Sequence, residues 1–296
     1  MHRNDFHRPS RVVAILAAAL LLTALAASAS DPGGVRATYL ANEGFLLESG
    51  EHKVLVDALF GDGLKEYPKV PVDLRRELES ASGRFAGVDV VLATHMHRDH
   101  FDADAVARFL RAAPEARFVS TRQSVEALLE VAPSLKGRAH GYWPDEGEQA
   151  ELKLGAVNLT VLRLHHGRER RPEIENLGFV VRLGGLRLLH IGDTEAVEAD
   201  FEPYADVLKG VDVAFLPSWF YVASAHKPIV ADLGHSRLVA MHLGAETAPS
   251  DYFYPVKSRD GLVHHLETTY SGIWVPTAAG AASNFNPAAP STPDQR

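Results

Sequence analysis

Residues 91–102 read VLATHMHRDHFD, which places three histidines and two aspartates within the eight positions from His95 to Asp102. They follow directly on VDVVLAT, 88–94, a short apolar and β-branched run of the kind that forms a strand buried on both faces. Beyond them Val106, Phe109, Leu110 and Ala113 recur at helical spacing, and Asp102 stands where an N-cap belongs. The chain must therefore bury a strand and a helix while holding a ligand-rich loop between them at the end of a sheet.

Side chains two apart in an extended loop point the same way, so His95 and His97 can serve one metal ion. Asp99 and His100 point elsewhere and can serve a second ion a few ångströms away. The chain has no cysteine, so such a site must be built from nitrogen and oxygen ligands. Its remaining ligands have to come from the ends of other strands. Apolar runs stop at histidine or aspartate in LRLHHG (162–167), LLHIGD (188–193) and LVAMH (238–242). In the first, Thr160, Leu162, Leu164 and His166 share a strand face while His165 shares one with Arg163, which favours His166 as the ligand. His190 lies three residues before Asp193, faces the other way and reads as structural. His226 and His235 end no apolar strand, unlike His242. His2, His7, His52, His140, His264 and His265 have no accompanying pattern.

The rest of the chain alternates strands and helices. Strands are expected over 36–49 and 54–60, joined by a turn at 50–53, then at 88–94, 116–121, 157–167, 211–217 and 236–242. A hairpin is expected to fold back at Gly184 and Gly185 within 177–193. Helices are expected at 72–81, in a less regular stretch (61–87) read as a surface flap, and at 124–132. This order reads as α/β, one domain of two similar halves spanning 31–275.

The first 29 residues read differently. Arg3, Arg8 and Arg11 precede an apolar run from Val12 to Ala27, and ASA ends at Ala29. These are the three regions of a secretory signal peptide cut after Ala29. The run is short of the roughly 20 residues a spanning helix needs, so no stable membrane anchor is expected after cleavage. The expected location is periplasmic or secreted. Removal of three arginines and Asp5 takes the formal charge from −8 to −10. So acidic a chain is a poor partner for nucleic acid, whose binding rests on Lys and Arg neutralising phosphates, and a small-molecule substrate fits better. The Pro-, Ala- and Ser-rich segment 276–296 is expected to be a disordered tail.

His-x-His-x-Asp-His at 95–100, the histidine before glycine at 166, GDT at 192–194 and His242 at the end of a late strand together resemble the metallo-β-lactamase superfamily. The resemblance implies a four-layer αββα sandwich, two mixed β-sheets flanked by helices, with metals at one edge. It assigns His95, His97 and His166 to a first zinc, Asp99, His100 and His242 to a second, and Asp193 to a bridge between them. Mn2+ or Fe2+ can replace Zn2+ in such a set. Asp57, in VLVDALF, matches an aspartate that the superfamily places after an early strand, and accepting a ligand histidine's free N–H would fix that ring's tautomer.

The expected function is an exported zinc-dependent hydrolase that uses metal-activated hydroxide on an ester, lactone or phosphodiester, with Asp99 orienting the nucleophile and passing on its proton. The DHFD continuation and the start ANEGF look closest to the ascorbate-phosphate lactonase-like and phospholipase D-like branch, with Asn42 where that branch often has histidine. Trp219, Phe220 and Tyr221, just past a strand end on the ligand side, are expected to help bind a partly apolar substrate. The alternatives are a β-lactamase, and a non-catalytic metal- or partner-binding protein that has kept the fold.

Overall fold

A computed structural model describes residues 33–168, 170–221, 227–233, 236–245, 263–265 and 271–277. The expected signal peptide, nearly all of the expected tail, His226 and His235 lie outside the described residues. Among the described residues no helix is long and apolar enough to cross a membrane.

In chain order the first half runs β1 (Gly34–Ala41), β2 (Gly44–Ser49), β3 (His52–Val56), α1 (Val72–Glu79), β4 (Val90–Leu92), α2 (Ala103–Ala112), β5 (Arg117–Thr121), α3 (Arg122–Val131) and β6 (Ala139–Tyr142). The second runs β7 (Gln149–Leu154), β8 (Val157–Arg163), β9 (Leu177–Leu183), β10 (Leu186–His190), α4 (Glu198–Phe201), α5 (Ala205–Leu208), β11 (Val213–Pro217), α6 (Lys227–Asp232), β12 (Arg237–Met241), β13 (Val263–His265) and β14 (Gly272–Pro276). The strands form two seven-stranded sheets, ordered β14-β1-β2-β3-β4-β5-β6 and β13-β12-β11-β10-β9-β8-β7. Each begins as an antiparallel meander, β1 to β3 or β7 to β10, and continues in parallel strands, so the two halves are alike.

Period-two alternation assigns each strand's side chains to a layer. Phe45, Leu47, Val54, Val56, Val90, Leu92 and Val119 pack against the second sheet, in one cluster with Leu159, Val161, Phe179 and Val181. Their neighbours Leu46, Leu55, Val91 and Phe118 face the other way, onto Leu74 and Leu78 of α1, Val106, Phe109 and Leu110 of α2 and Leu128 of α3. Phe201, Leu208, Ile229 and Val230 cover the far side of the second sheet. The expected αββα layering is what the chain forms.

Asp102 caps α2 as expected, its Oδ1 accepting the Ala105 N–H at 2.7 Å. The hairpin turns at Gly184 and Gly185, with φ of 55° and 78°. One expectation is corrected. The run 36–49 is not one strand: it divides at Asn42 and Glu43 into β1 and β2, with Asn42 in the left-handed region at φ 50°. Gly44 closes this turn because a Cβ there would stand 2.9 Å from the Ala41 carbonyl oxygen and 3.0 Å from that of Asp57. The turn is thereby wedged against the end of β3, beside the donor loop.

Candidate metal centre

Strands β3, β4, β10 and β12 all end at one edge of the sandwich, and the residues that follow them converge. Asp57 follows β3, His95 to His100 follow β4, Asp193 follows β10 and His242 follows β12, while His166 arrives from the loop after β8. The rim of parallel strands is where loops from separate strands can pool side chains. Asp57 and His242 both hold left-handed backbones, φ 43° and 55°, conformations that cost energy in a residue with a side chain and that concentrate at functional sites.

The donors form two sets. His95, His97, His166 and Asp193 bring one ligand atom each within 4.8 Å of one another, and so do Asp99, His100 and His242. Asp193, a member of the first set, also faces two residues of the second. Its Oδ2 lies 3.8 Å from His95 Nε2 and 3.6 Å from His166 Nε2, and its Oδ1 lies 3.3 Å from His100 Nε2 and 3.2 Å from His242 Nε2. His166, not His165, joins the first set, as the strand alternation predicts. His165 turns away to Asp200, 3.2 Å from its Nδ1.

Hydrogen bonds behind the donors set which ring nitrogen faces the centre. Thr94 gives its N–H to Asp57 Oδ1 at 2.7 Å and its hydroxyl to Oδ2 at 2.6 Å. The Thr94 oxygen is then left to accept from His95 Nδ1 at 3.1 Å, and Asp57 Oδ2 accepts from His100 Nδ1 at 2.8 Å. One carboxylate thus fixes two rings with Nε2 inward, directly at His100 and through Thr94 at His95. Asn176, which the sequence reading did not single out, donates from Nδ2 to the Leu164 and Ile191 carbonyls and to Thr194 Oγ1, tying the loop that carries His166 to the one that carries Asp193. His190 is structural: its Nε2 donates to the Glu43 carbonyl at 3.0 Å and its Nδ1 accepts from Gly192.

Burial pushes His95 well below the ordinary histidine value, lowers His97, and takes His166 down to about 4, each against the pull of Asp193. These rings are neutral at neutral pH, the state in which imidazole binds metal. Burial opposes charge on His100 too, but Asp193 and Asp57 overcome it and hold this ring well above the ordinary value. Asp193 is held well below the carboxylate range by His242 and His100 despite its burial.

Nε2 of His95 and His100, both ring nitrogens of His242 and Oδ1 of Asp193 are buried without a hydrogen-bond partner. A buried polar group left in that condition costs about 1–3 kcal/mol. A divalent cation is the partner that fits, since imidazole nitrogens and carboxylate oxygens converging from several strands are a metal donor set.

A cavity of about 380 Å³ opens over the centre, lined by Leu64, Tyr67, His97, Arg98, Asp99, His166, Arg171, Asp193 and His242. A second, of about 360 Å³, shares Tyr67, His166, Arg171, Asp193 and His242 and adds Arg170, Glu195 and Trp219. Trp219 therefore stands on the cavity wall, with its Nε1 donating to the Thr194 carbonyl at 3.0 Å and its ring 5.1 Å from that of His242. Phe220 and Tyr221 do not line either cavity. The chain winds into a 3-10 turn over Ser218–Tyr221, which carries both rings fully into the core. Leu64 and Tyr67 were missed, because 61–71 carries no periodicity. Tyr67 packs edge-on to His242 at 4.1 Å, and its phenol is pushed up to about 12 by burial and the nearby carboxylates.

Glu43 was also missed. It is fully buried beside His100, 3.7 Å from its Nδ1, and both of its carboxylate oxygens lack a hydrogen-bond partner. Burial, and then Asp193, hold it well above the usual carboxylate range.

A two-sheet sandwich with a histidine and aspartate donor cluster at its strand ends is the framework of a metal-dependent hydrolase. Comparison with known proteins gives the same answer. Residues 52–251 match the beta-lactamase superfamily domain, and the chain is a member of that family, a metal-dependent hydrolase with the metallo-β-lactamase fold. It is 30% identical over 228 residues to a UPF0173 metal-dependent hydrolase of Rubrobacter xylanophilus, covering 72% of this chain and 83% of that one. A UPF0173 metal-dependent hydrolase of Pyrococcus furiosus is 27% identical over 185 residues, covering 62% and 72%. Among solved structures, the metallo-beta-lactamase fold protein YhfI of Bacillus subtilis superposes with a TM-score of 0.55 at 15% identity, over 82% of this chain and 99% of that one.

Proposed function

We propose that the protein is an exported hydrolase holding two zinc ions per chain, which cleaves an ester, lactone or phosphodiester bond in a small substrate carrying an anionic group. The observation that carries the two-ion reading is Asp193, whose oxygens face separate donor sets. His95, His97 and His166 would hold one ion, Asp99, His100 and His242 the other, with Mn2+ or Fe2+ as the alternatives to zinc. A bound ion pair supplies Lewis acidity, which lowers the pKa of water toward about 7 and favours negative charge on a substrate oxygen.

The chain's own residues do the rest. Asp57 and Thr94 fix the rings of His95 and His100 before substrate arrives, so no reorganisation is needed at the moment of reaction. Asp99 takes the Asn42 Nδ2 donor on its Oδ2 at 3.3 Å, which aims the carboxylate, and its place on the cavity wall suits it to move a proton between nucleophile and leaving group. The Tyr67 phenol remains protonated at neutral pH and offers a hydrogen-bond donor on the same wall.

The anionic preference rests on Arg98, Arg170 and Arg171. All three are exposed, all three line the cavities, and none forms an ion pair among the described residues. With Asp99 and Asp193 assigned to the metals, the three arginines face Glu195 alone on the cavity walls, which leaves an excess of positive charge at the mouth of an otherwise acidic chain. The export reading rests on the basic, apolar and small-residue order of residues 1–29.

The test is initial rates of the mature, zinc-verified protein on nitrocefin, a homoserine lactone and a chromogenic phosphodiester, beside Asp193→Ala and Arg171→Ala. Turnover of the phosphodiester or lactone that vanishes in Asp193→Ala supports the reaction class. A KM raised in Arg171→Ala for the charged substrate alone supports the anionic preference. Turnover of nitrocefin alone makes the protein a β-lactamase, and silence on all three with two zincs bound points to a narrower substrate or a non-catalytic role.

A further inference from the structure

The turn between β1 and β2 carries the sequence Asn42-Glu43-Gly44, and each residue has a separate task. Asn42 takes the left-handed conformation and reaches Asp99 with its Nδ2, at 3.3 Å from both the carbonyl and Oδ2. Gly44 allows the turn to touch the Ala41 and Asp57 carbonyls. Glu43 lies between them with its carbonyl pinned by His190 and its side chain directed inward. The carboxylate is fully buried, and neither oxygen has a hydrogen-bond partner. The nearest candidate, the proton on His100 Nδ1, is taken by Asp57 at 2.8 Å, whereas Glu43 Oε2 stands off at 3.7 Å.

Such a group is costly unless something pairs with it. Its ligand atom lies within 4.8 Å of those of Asp193 and His242. Those neighbours are short of partners as well: Asp193 Oδ1, His242 Nε2 and Nδ1, and His100 Nε2 are all buried and unpaired. A proton on Glu43 would relieve one of these groups, whereas a cation among them would relieve Glu43, Asp193 Oδ1, His100 Nε2 and His242 Nε2 together.

We infer that Glu43 is a further ligand of the second metal position, which then draws on Glu43, Asp99, His100, Asp193 and His242. This inference rests on the two-ion reading above. The two positions become chemically unequal. The first has three imidazoles and a shared carboxylate, while the second has three carboxylates and two imidazoles. The harder, oxygen-rich set is better suited to Mn2+ or Fe2+ than the first position is.

The experiment is competition titration of the chelator-stripped mature protein with Zn2+ and with Mn2+ against a chromogenic chelator, for the wild type, Glu43→Gln and Glu43→Asp. The expected result is two equivalents in the wild type. In Glu43→Gln the first equivalent should keep wild-type affinity while the second weakens about 10- to 100-fold, with partial recovery in Glu43→Asp. The dimanganese protein should show an exchange-coupled paramagnetic resonance signal that Glu43→Gln loses. A second equivalent in Glu43→Gln within twofold of the wild type overturns the inference while leaving the two-ion reading intact. A wild type that binds a single equivalent overturns both. Should Glu43→Gln lose both equivalents, Glu43→Asp decides: recovery of the second supports a carboxylate ligand, and no recovery contradicts it.

Discussion

His165 and His166 are adjacent, yet they join two clusters made of the same residue types. Around His165 stand Glu146 and Asp200, close enough that the three could hold a metal ion, just as the set around His166 could. The difference lies in what fills the space. Arg168 puts Nη2 onto Asp200, 2.8 Å from Glu146 Oε1 and 3.1 Å from His165 Nδ1, so the cluster already contains its cation. Among the described residues no side-chain cation is bonded to His166 or its donor set, and five ring and carboxylate atoms across the two sets remain without hydrogen-bond partners, against one, Asp200 Oδ2, in the other cluster. Donor composition alone does not define a metal site; unsatisfied donors that converge do.

The largest expected contrast is between two single variants. His166→Ala should lower the hydrolytic rate at least about 100-fold and release metal, whereas His165→Ala should leave metal content and rate at wild-type levels, measured by elemental analysis and initial rates. Equal losses in both would erase the distinction between the clusters. Asp57→Asn should weaken metal binding about 10- to 100-fold, because the variant amide no longer accepts both the Thr94 hydroxyl and the His100 N–H, as chelator competition would show.

Arg168→Ala should cost stability without touching the metal. Asp200 is fully buried and would keep only His165 as a side-chain partner, a loss of about 1–3 kcal/mol, tempered by the 41% exposure of the guanidinium. Urea unfolding of the metal-loaded variant checks this, and loss of metal instead would mean the clusters are coupled. Trp219→Ala should raise KM several-fold with a smaller change in kcat, since the ring lines the cavity and meets the donor set only through the edge of His242. An unchanged KM would remove Trp219 from the substrate wall.

The smallest effect is on the pH dependence of the metal-free protein. His95, His97, His166 and His190 are all held below the ordinary histidine value by burial, so the unfolded chain binds protons that the folded one refuses. Their contribution is present above about pH 6.5 and is lost as pH falls toward their folded values. His100, held above the ordinary value, acts with the opposite sign: its contribution is fully present below about 6.5 and is lost as pH rises through its folded value. Glu43, held well above the carboxylate range, acts with the same sign as His100. With four groups against two, denaturant midpoints of the stripped protein should be lower at pH 5.5 than at 7.5.

The site was legible in the sequence to the extent that its donors end apolar strands. His95, Asp193 and His242 each follow a buried run, and burial is what leaves a period-two signal to read. Four strands gave no such signal, and β6, β7, β13 and β14 are the edges of the two sheets. An edge strand is covered on fewer sides and needs fewer apolar residues, as the half-exposed pattern of QAELKL in β7 shows. Glu43 escaped for a related reason. The apolar pattern of YLANEGFLLE continues across a two-residue turn, so the break is hidden, although a lone acid within so apolar a stretch was itself a signal. Phe220 and Tyr221 misled because a strand's end fixes where the chain emerges, but a single 3-10 turn decides where the following rings go.

If Asp193 joins two metal positions, the number of ions each chain holds must depend on it. Mature wild-type protein and Asp193→Ala, reconstituted with zinc and desalted, would be measured for zinc per chain and for turnover of the same substrate. Two equivalents with turnover in the wild type, and at most one equivalent with the rate reduced at least about 100-fold in the variant, is the result expected. A variant that keeps two equivalents and the wild-type rate would contradict it.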